Sequence, residues 1–233
     1  MIEYVFPPPP TPSVAVAGSS ARFPIRRVFC VGRNYAAHAR EMGNDPTRED
    51  PFFFMKPADA VVAAEGVLPF PSATSDLHHE VEMVVALAGG GTDIAPAHAL
   101  ARVWGYGVGL DLTRRDLQAV AKEMRRPWDF AKGFDASAPC SPIHPVSEVG
   151  HPHDARIWLS VNGAVLQDGT LKEMIWPVAD IIAHISRFVA LAPGDLIFTG
   201  TPAGVGPLQP GDSVKGALDG VASFNFRFAP AST

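Results

Sequence analysis

The segment LHHEVEMVVAL (residues 77–87) constrains this chain more than any other stretch. Apart from its two glutamates, it reads as a buried strand. Side chains alternate between the two faces of a strand, so Glu80 and Glu82 share one face. Two like charges side by side repel, and burying either without a partner is expensive. A divalent cation would resolve the conflict, because hard cations take carboxylates and water as ligands. Asp111 ends the strand GYGVGLD and is placed to supply a third oxygen. The plain alternative is an exposed edge strand. The apolar flanks and the strand-end aspartate favour a metal.

The rest of the chain supports a β-rich α+β fold, a mixed sheet rolled on itself with a few short helices. RRVFCVG (26–32), PFFFMKPADAVV (51–62), GDLIF and GVASFNFRF read as strands. RIWLSVNGAVLQDG alternates and turns at Asn162-Gly163, a strong hairpin signal. FPPPPTP (6–12) reads as an extended connection between edge strands, and PFFFM as core. Helical spacing appears at 33–43, with Asn34 as N-cap and Gly43 as the stop, and at 96–104. It recurs behind a Thr113/Asp116 capping box, where Leu117, Val120, Ala121 and Met124 share a face. In VADIIAHISRFVAL, Ile181, Ile182, Ile185, Phe188 and Val189 share another. Residues 1–65 read as an N-terminal lobe and 66–233 as the catalytic roll, together one structural unit.

Composition bounds the function. The 233 residues are 47% hydrophobic and 18% charged, with a net charge of −5. No basic block points to nucleic acid. No apolar run reaches membrane-spanning length, and the N-terminus carries no secretory pattern. A cytoplasmic location is the expectation. Cys30 and Cys140 are too few for a disulfide framework and sit among apolar neighbours, so both read as buried free thiols.

Beyond the acidic trio, His38 and Glu41 lie at i and i+3 of the short 33–43 helix and share a face. A glutamate beside an imidazole orients it and makes it a better base. The same spacing also suits a surface pair. Lys132, within WDFAKGFDASAP, suits an oxyanion or carboxylate, and equally a solvated surface. TGTPAGVG (199–206) offers backbone N–H groups and the Thr201 hydroxyl to an anion, although most such stretches are plain turns. His79 is a candidate outer partner of the glutamates, with His78 facing solvent. His151 and His153 read as a solvated turn.

Taken in order, CVGRNYAAHAREM, HHEVEMVVAL, GYGVGLDLTRRDLQ, AKGFDASAP and FTGTPAGVG resemble the fumarylacetoacetate hydrolase family, specifically its acylpyruvate hydrolase branch. The resemblance runs from about Arg26 to the C-terminus. It implies a mixed β-roll, a homodimer, and Mg²⁺ or Mn²⁺ held by Glu80, Glu82 and Asp111, with Ca²⁺ able to substitute. It also implies a His38–Glu41 dyad on a lid helix, Lys132 as the active-site lysine, and Arg33, Arg115, Gln118 and Thr201 near ligand or lid. Leu110 stands where many relatives carry Asn, which agrees with the acylpyruvate branch. The activity implied is hydrolysis of a 2,4-dioxo acid, with fumarylpyruvate the first choice, in aromatic-compound catabolism of the gentisate type. The alternatives are decarboxylation of oxaloacetate, or a related 2-oxo acid decarboxylase or isomerase activity at the same site. A third is a non-catalytic, metal-stabilised binding protein.

Overall fold

A computed structural model of the chain describes residues 3–36 and 50–231. Its main sheet has eight strands, and Val81–Leu87 is buried at every position. The strand pairs antiparallel with Val103–Leu110 on one side and Asp195–Phe198 on the other. Arg27–Gly32 runs parallel to Asp195–Phe198, and Phe52–Lys56 closes that edge. Beyond Val103–Leu110 come Ala138–Cys140 and then Val61–Ala63, again a parallel pair. A second sheet of five strands contains the hairpin Arg156–Val161/Ala164–Thr170 and the closing strand Ala222–Phe228. The fold is thus the expected β-rich roll of mixed sheets.

The strand Val81–Leu87 is covered on both faces, which explains its continuous apolar run. Val81, Met83, Val85 and Leu87 enter the larger core between the sheets. Val84 and Ala86 face a smaller core with Cys30, Ala138, Cys140, Ile143 and Phe198. Glu82 has the parity of Val84 and Ala86, so it stands at the end of that smaller layer.

Val103–Leu110 shows why its sequence alternates with glycine. Tyr106, Val108 and Leu110 point into the larger core. The opposite face has no side chains at Gly105, Gly107 and Gly109, and the chain at 139–144 lies directly upon it. A Cβ at Gly105 would meet the His144 carbonyl oxygen at 2.4 Å, and one at Gly109 the Pro139 carbonyl oxygen at 2.8 Å. A backbone carbonyl cannot rotate aside. Gly105→Ala is therefore expected to cost the upper end of an overpacking penalty, about 3 kcal/mol, lowering Tm by roughly 6–12 °C. A thermal melt with an unchanged midpoint would show that the overlying segment yields freely.

Several sequence expectations hold. Asn162 and Gly163 take φ values of 51° and 87°, both left-handed, as a tight hairpin turn requires. Cys30 and Cys140 are free and buried. Ile181, Ile182 and Ile185 are buried on the helix Val178–Phe188.

Others fail for identifiable reasons. Phe188 is 75% exposed because the helix ends there and the chain turns out at Val189. FPPPPTP joins no strands: the first strand among the described residues, Ser13–Ala15, starts after it. The body of the helix expected at 33–43 lies outside the described residues, and the Asn34 side chain is engaged by other segments. Its Oδ1 accepts from the Trp176 N–H at 2.7 Å, and its Nδ2 donates to the Thr199 carbonyl at 2.8 Å, tying three segments together. The Thr113/Asp116 capping box does not form. Thr113 lies in a short strand, and Asp116 instead accepts from Thr74 Oγ1 at 2.7 Å and the Ser75 N–H at 2.9 Å.

Candidate metal centre and active site

Strand register builds the site. Val81 pairs with Leu110 and Glu82 with Gly109, so the residues just beyond that pair, Glu80 and Asp111, stand opposite one another. The Asp111 N–H closes the register on the Glu80 carbonyl at 2.9 Å. Directly opposed residues in an antiparallel pair project to the same face. Glu80, Asp111 and Glu82 therefore converge, and bare Gly109 leaves them room. One ligand oxygen from each lies within 4.8 Å of the others, and all three residues are buried.

Cations hold this acidic group. Lys132 Nζ, at the end of the short helix Asp129–Lys132, lies 2.9 Å from Glu80 Oε2 and 2.5 Å from Asp111 Oδ2. Arg115 Nη2 donates to Glu80 Oε1 at 2.6 Å, and its Nη1 donates to Gln118 Oε1 at 2.7 Å. Lys56 approaches from below. Its Nζ is 2.8 Å from Asp111 Oδ1, while its N–H groups point to the carbonyls of Leu112, at 3.1 Å, and Lys132. Glu82 accepts from the Gly200 N–H at 2.7 Å. The loop expected to bind an anion thus directs its Gly200 N–H at a glutamate.

The electrostatics follow from this packing. Burial pushes the Glu82 carboxyl well above the usual carboxylate range, and the charges of Asp111 and Glu80 push it further. Burial opposes the charge on Lys132, but Asp111 and Glu80 outweigh it and raise its pKa. Two carboxylates already converge on an ammonium, and a third sits beside them short of positive charge. That donor set, all oxygen and anionic, fits a hard divalent cation.

A small pocket of about 30 Å³ opens over the trio. Its wall includes Arg33, Arg115, Gln118, Lys132 and Thr201. All the expected site residues within the described region therefore meet in one place, while His38 and Glu41 lie outside the described residues. Arg33 adopts φ 60°, a left-handed conformation uncommon for a side-chain-bearing residue. The Thr201 hydroxyl has little left for a ligand. It donates to the Val81 carbonyl at 2.8 Å and accepts from Gln167 Nε2 at 2.8 Å.

Three features escaped the sequence reading. Lys56 follows PFFFM, which the sequence places in the core, yet Lys56 is 2% exposed while Phe52 and Met55 are 43% and 46% exposed. A lone lysine closing an apolar strand was the available signal. The two histidines exchange the expected roles. His78 faces the site side, with Nδ1 3.4 Å from Arg115 Nε. His79 is buried and bonds through Nδ1 to Gln167 Oε1 at 2.9 Å. Finally, the helix Arg115–Glu123 turns a polar stripe inward. Gln118 is buried at 3% exposure while Val120 and Met124 are about half exposed, at 50% and 51%.

The comparisons agree with this architecture. Residues 27–229 match the fumarylacetoacetate (FAA) hydrolase C-terminal family. The chain belongs to the fumarylacetoacetate hydrolase family. Among solved structures, a fumarylpyruvate hydrolase from Pseudomonas aeruginosa, crystallised with Mn²⁺ and pyruvate, is 50% identical. The similarity covers 98% of this chain and 100% of that one, with a TM-score of 0.96. A protein from Burkholderia cenocepacia, provisionally assigned as a fumarylpyruvate hydrolase, is 59% identical over 99% of this chain and 100% of its own, with a TM-score of 0.93. Among curated sequences, the mouse mitochondrial oxaloacetate tautomerase FAHD1 is 41% identical over 202 residues, 87% of this chain and 91% of that protein. The oxaloacetate tautomerase YcgM of Escherichia coli K12 is 42% identical over 204 residues, 87% of this chain and 93% of that protein. The chain is thus an enzyme of a metal-dependent family. Among the described residues, no helix is long and apolar enough to cross a membrane.

Proposed function

We propose that this enzyme hydrolyses the C3–C4 bond of an acylpyruvate, with fumarylpyruvate the preferred substrate, giving pyruvate and fumarate. The observation that carries this reading is the joining of an acidic trio and a cationic wall in one pocket. Such a pocket can take a substrate that is both a chelating 2-oxo acid and an anion. The 50% identical relative crystallised with Mn²⁺ and pyruvate supports the same choice.

Glu80, Glu82 and Asp111 would hold Mg²⁺ or Mn²⁺, which when bound supplies Lewis-acid charge to the enolate oxygen of the leaving pyruvate. The chain's own residues do the rest. Lys132, buried and charged, places a fixed positive charge where negative charge develops. Arg115 holds Glu80 and aligns Gln118 along the pocket wall. His38, with Glu41 behind it, serves as the base that takes a proton from water. The resulting hydroxide adds to the 4-carbonyl, the C3–C4 bond breaks, and its electrons pass to C3 and the 2-oxygen. Protonation at C3 completes pyruvate, and the acyl group leaves as a carboxylate.

The second reading is chemistry on oxaloacetate, favoured by curated relatives such as the mouse and Escherichia coli tautomerases. It uses an enolisable 2-oxo acid at the same trio but needs no attacking water. Assays of purified protein with fumarylpyruvate, other acylpyruvates and oxaloacetate in parallel separate the two. His38→Ala should reduce acylpyruvate turnover by at least about a hundredfold, within the usual range for general-base loss, with metal affinity intact. Near wild-type turnover in that variant would remove His38 from the mechanism. Turnover of oxaloacetate alone would replace the hydrolase reading.

A further inference from the structure

The three cations around the trio are all engaged by acid: Lys56 by Asp111, Lys132 by Asp111 and Glu80, and Arg115 by Glu80. A fourth, Lys122, differs. It is exposed, on the helix Arg115–Glu123, at i+7 from Arg115 and i+4 from Gln118, and shares their face. All three line the same pocket. No carboxylate among the described residues pairs with Lys122, and its ammonium lies 5.2 Å from the centroid of the Trp128 ring. Trp128 and Phe54 line the pocket as well, with ring centroids 6.0 Å apart. The pocket thus joins an acidic end, an aromatic wall and a cation with no acid partner among the described residues.

We propose that Lys122, beside Trp128, forms a second anion subsite that selects 2-oxo acids carrying a further carboxylate at the far end of the acyl chain. The inference rests on the reading above that a 2-oxo acid occupies the trio. The rings of Trp128 and Phe54, inclined at 58° to one another, offer aromatic faces along which the chain between the two ends can lie. A substrate with one carboxylate leaves Lys122 as it is; a diacid gives it the charge-assisted partner it lacks. The group acts on specificity and takes no part in bond breaking. Its neighbours Arg115 and Arg33 add to the positive field there, and the field raises local concentrations of dianions.

The test compares two probes of equal length that lack the 4-carbonyl and so cannot be cleaved: 2-oxoheptanedioate and 2-oxoheptanoate. Calorimetry on the manganese-loaded full chain should show the diacid binding at least tenfold more tightly than the monoacid. Lys122→Met should bring the diacid down to the monoacid's affinity and leave the monoacid within twofold. Lys122→Arg should retain most of the preference. A wild-type protein with no preference, or a variant that weakens both probes equally, overturns the subsite. Failure of the hydrolase reading has a separate signature, an intact diacid preference in a protein that turns over no acylpyruvate.

Discussion

Replacing Glu82 by glutamine is expected to abolish most divalent-cation affinity while leaving the metal-free protein at least as stable as the wild type. Loss of an outer partner of a metal site typically costs about 10–100-fold in affinity, and loss of a direct charged ligand should exceed that. The second half of the expectation comes from the electrostatics. Burial and the charges of Asp111 and Glu80 hold the Glu82 carboxyl well above the usual range. At neutral pH its ionisation therefore works against the folded metal-free protein, and a neutral amide removes that penalty. Glutamine also keeps an oxygen for the Gly200 N–H. Thermal melts with and without Mn²⁺ read both effects. Wild type should gain about 2.7 kcal/mol with cation at a hundred times Kd, and the variant should gain little at that concentration. Equal gains in both proteins would show that Glu82 is no ligand.

The second large effect is expected at Lys56. Its ammonium is buried against Asp111 and points to two backbone carbonyls, so Lys56→Met strips a buried carboxylate of one of its two cations. Breaking a buried ion pair by removing one partner typically costs about 3–5 kcal/mol. For a chain of this size that corresponds to a fall in Tm of roughly 6–20 °C. Saturating Mn²⁺ should recover part of the loss, because it restores positive charge beside Asp111. A melt within 2 °C or so of wild type, at a size where 1 kcal/mol moves Tm by about 2–4 °C, would mean that solvent or Lys132 alone satisfies the aspartate.

These two residues show what the sequence could and could not disclose. Glu82 was legible because its anomaly is local: two carboxylates two residues apart in an apolar strand. The Asn162-Gly163 hairpin was legible for the same reason, since a two-residue turn carries its own chemistry. Lys56 was not, because nothing in FFFMKP says that its strand will lie beside the end of GYGVGLD. That depends on pairing between segments distant in the chain. The orientation of the helix Arg115–Glu123 was misread on similar grounds. Helical spacing puts Leu117, Val120, Ala121 and Met124 on one face, yet of these only Ala121 is buried. The partners that turn the helix the other way, Glu80 for Arg115 and the pocket for Gln118 and Lys122, come from elsewhere. Arg33, Arg115, Gln118 and Thr201 were reached through family resemblance. Their spacing alone marks no site. Thr201 shows the limit of such transfer, for its hydroxyl is engaged by Val81 and Gln167.

The pairing of Val81 with Leu110 has an evolutionary consequence. One residue inserted into either strand would rotate one carboxylate onto the far side of the sheet, because side-chain direction reverses at each step. The strands could still pair, and the protein could still fold, yet its three acids would no longer face a common centre. Length variation in this enzyme can therefore accumulate in surface connections, whereas these two strands tolerate substitution but not a change in the number of their residues.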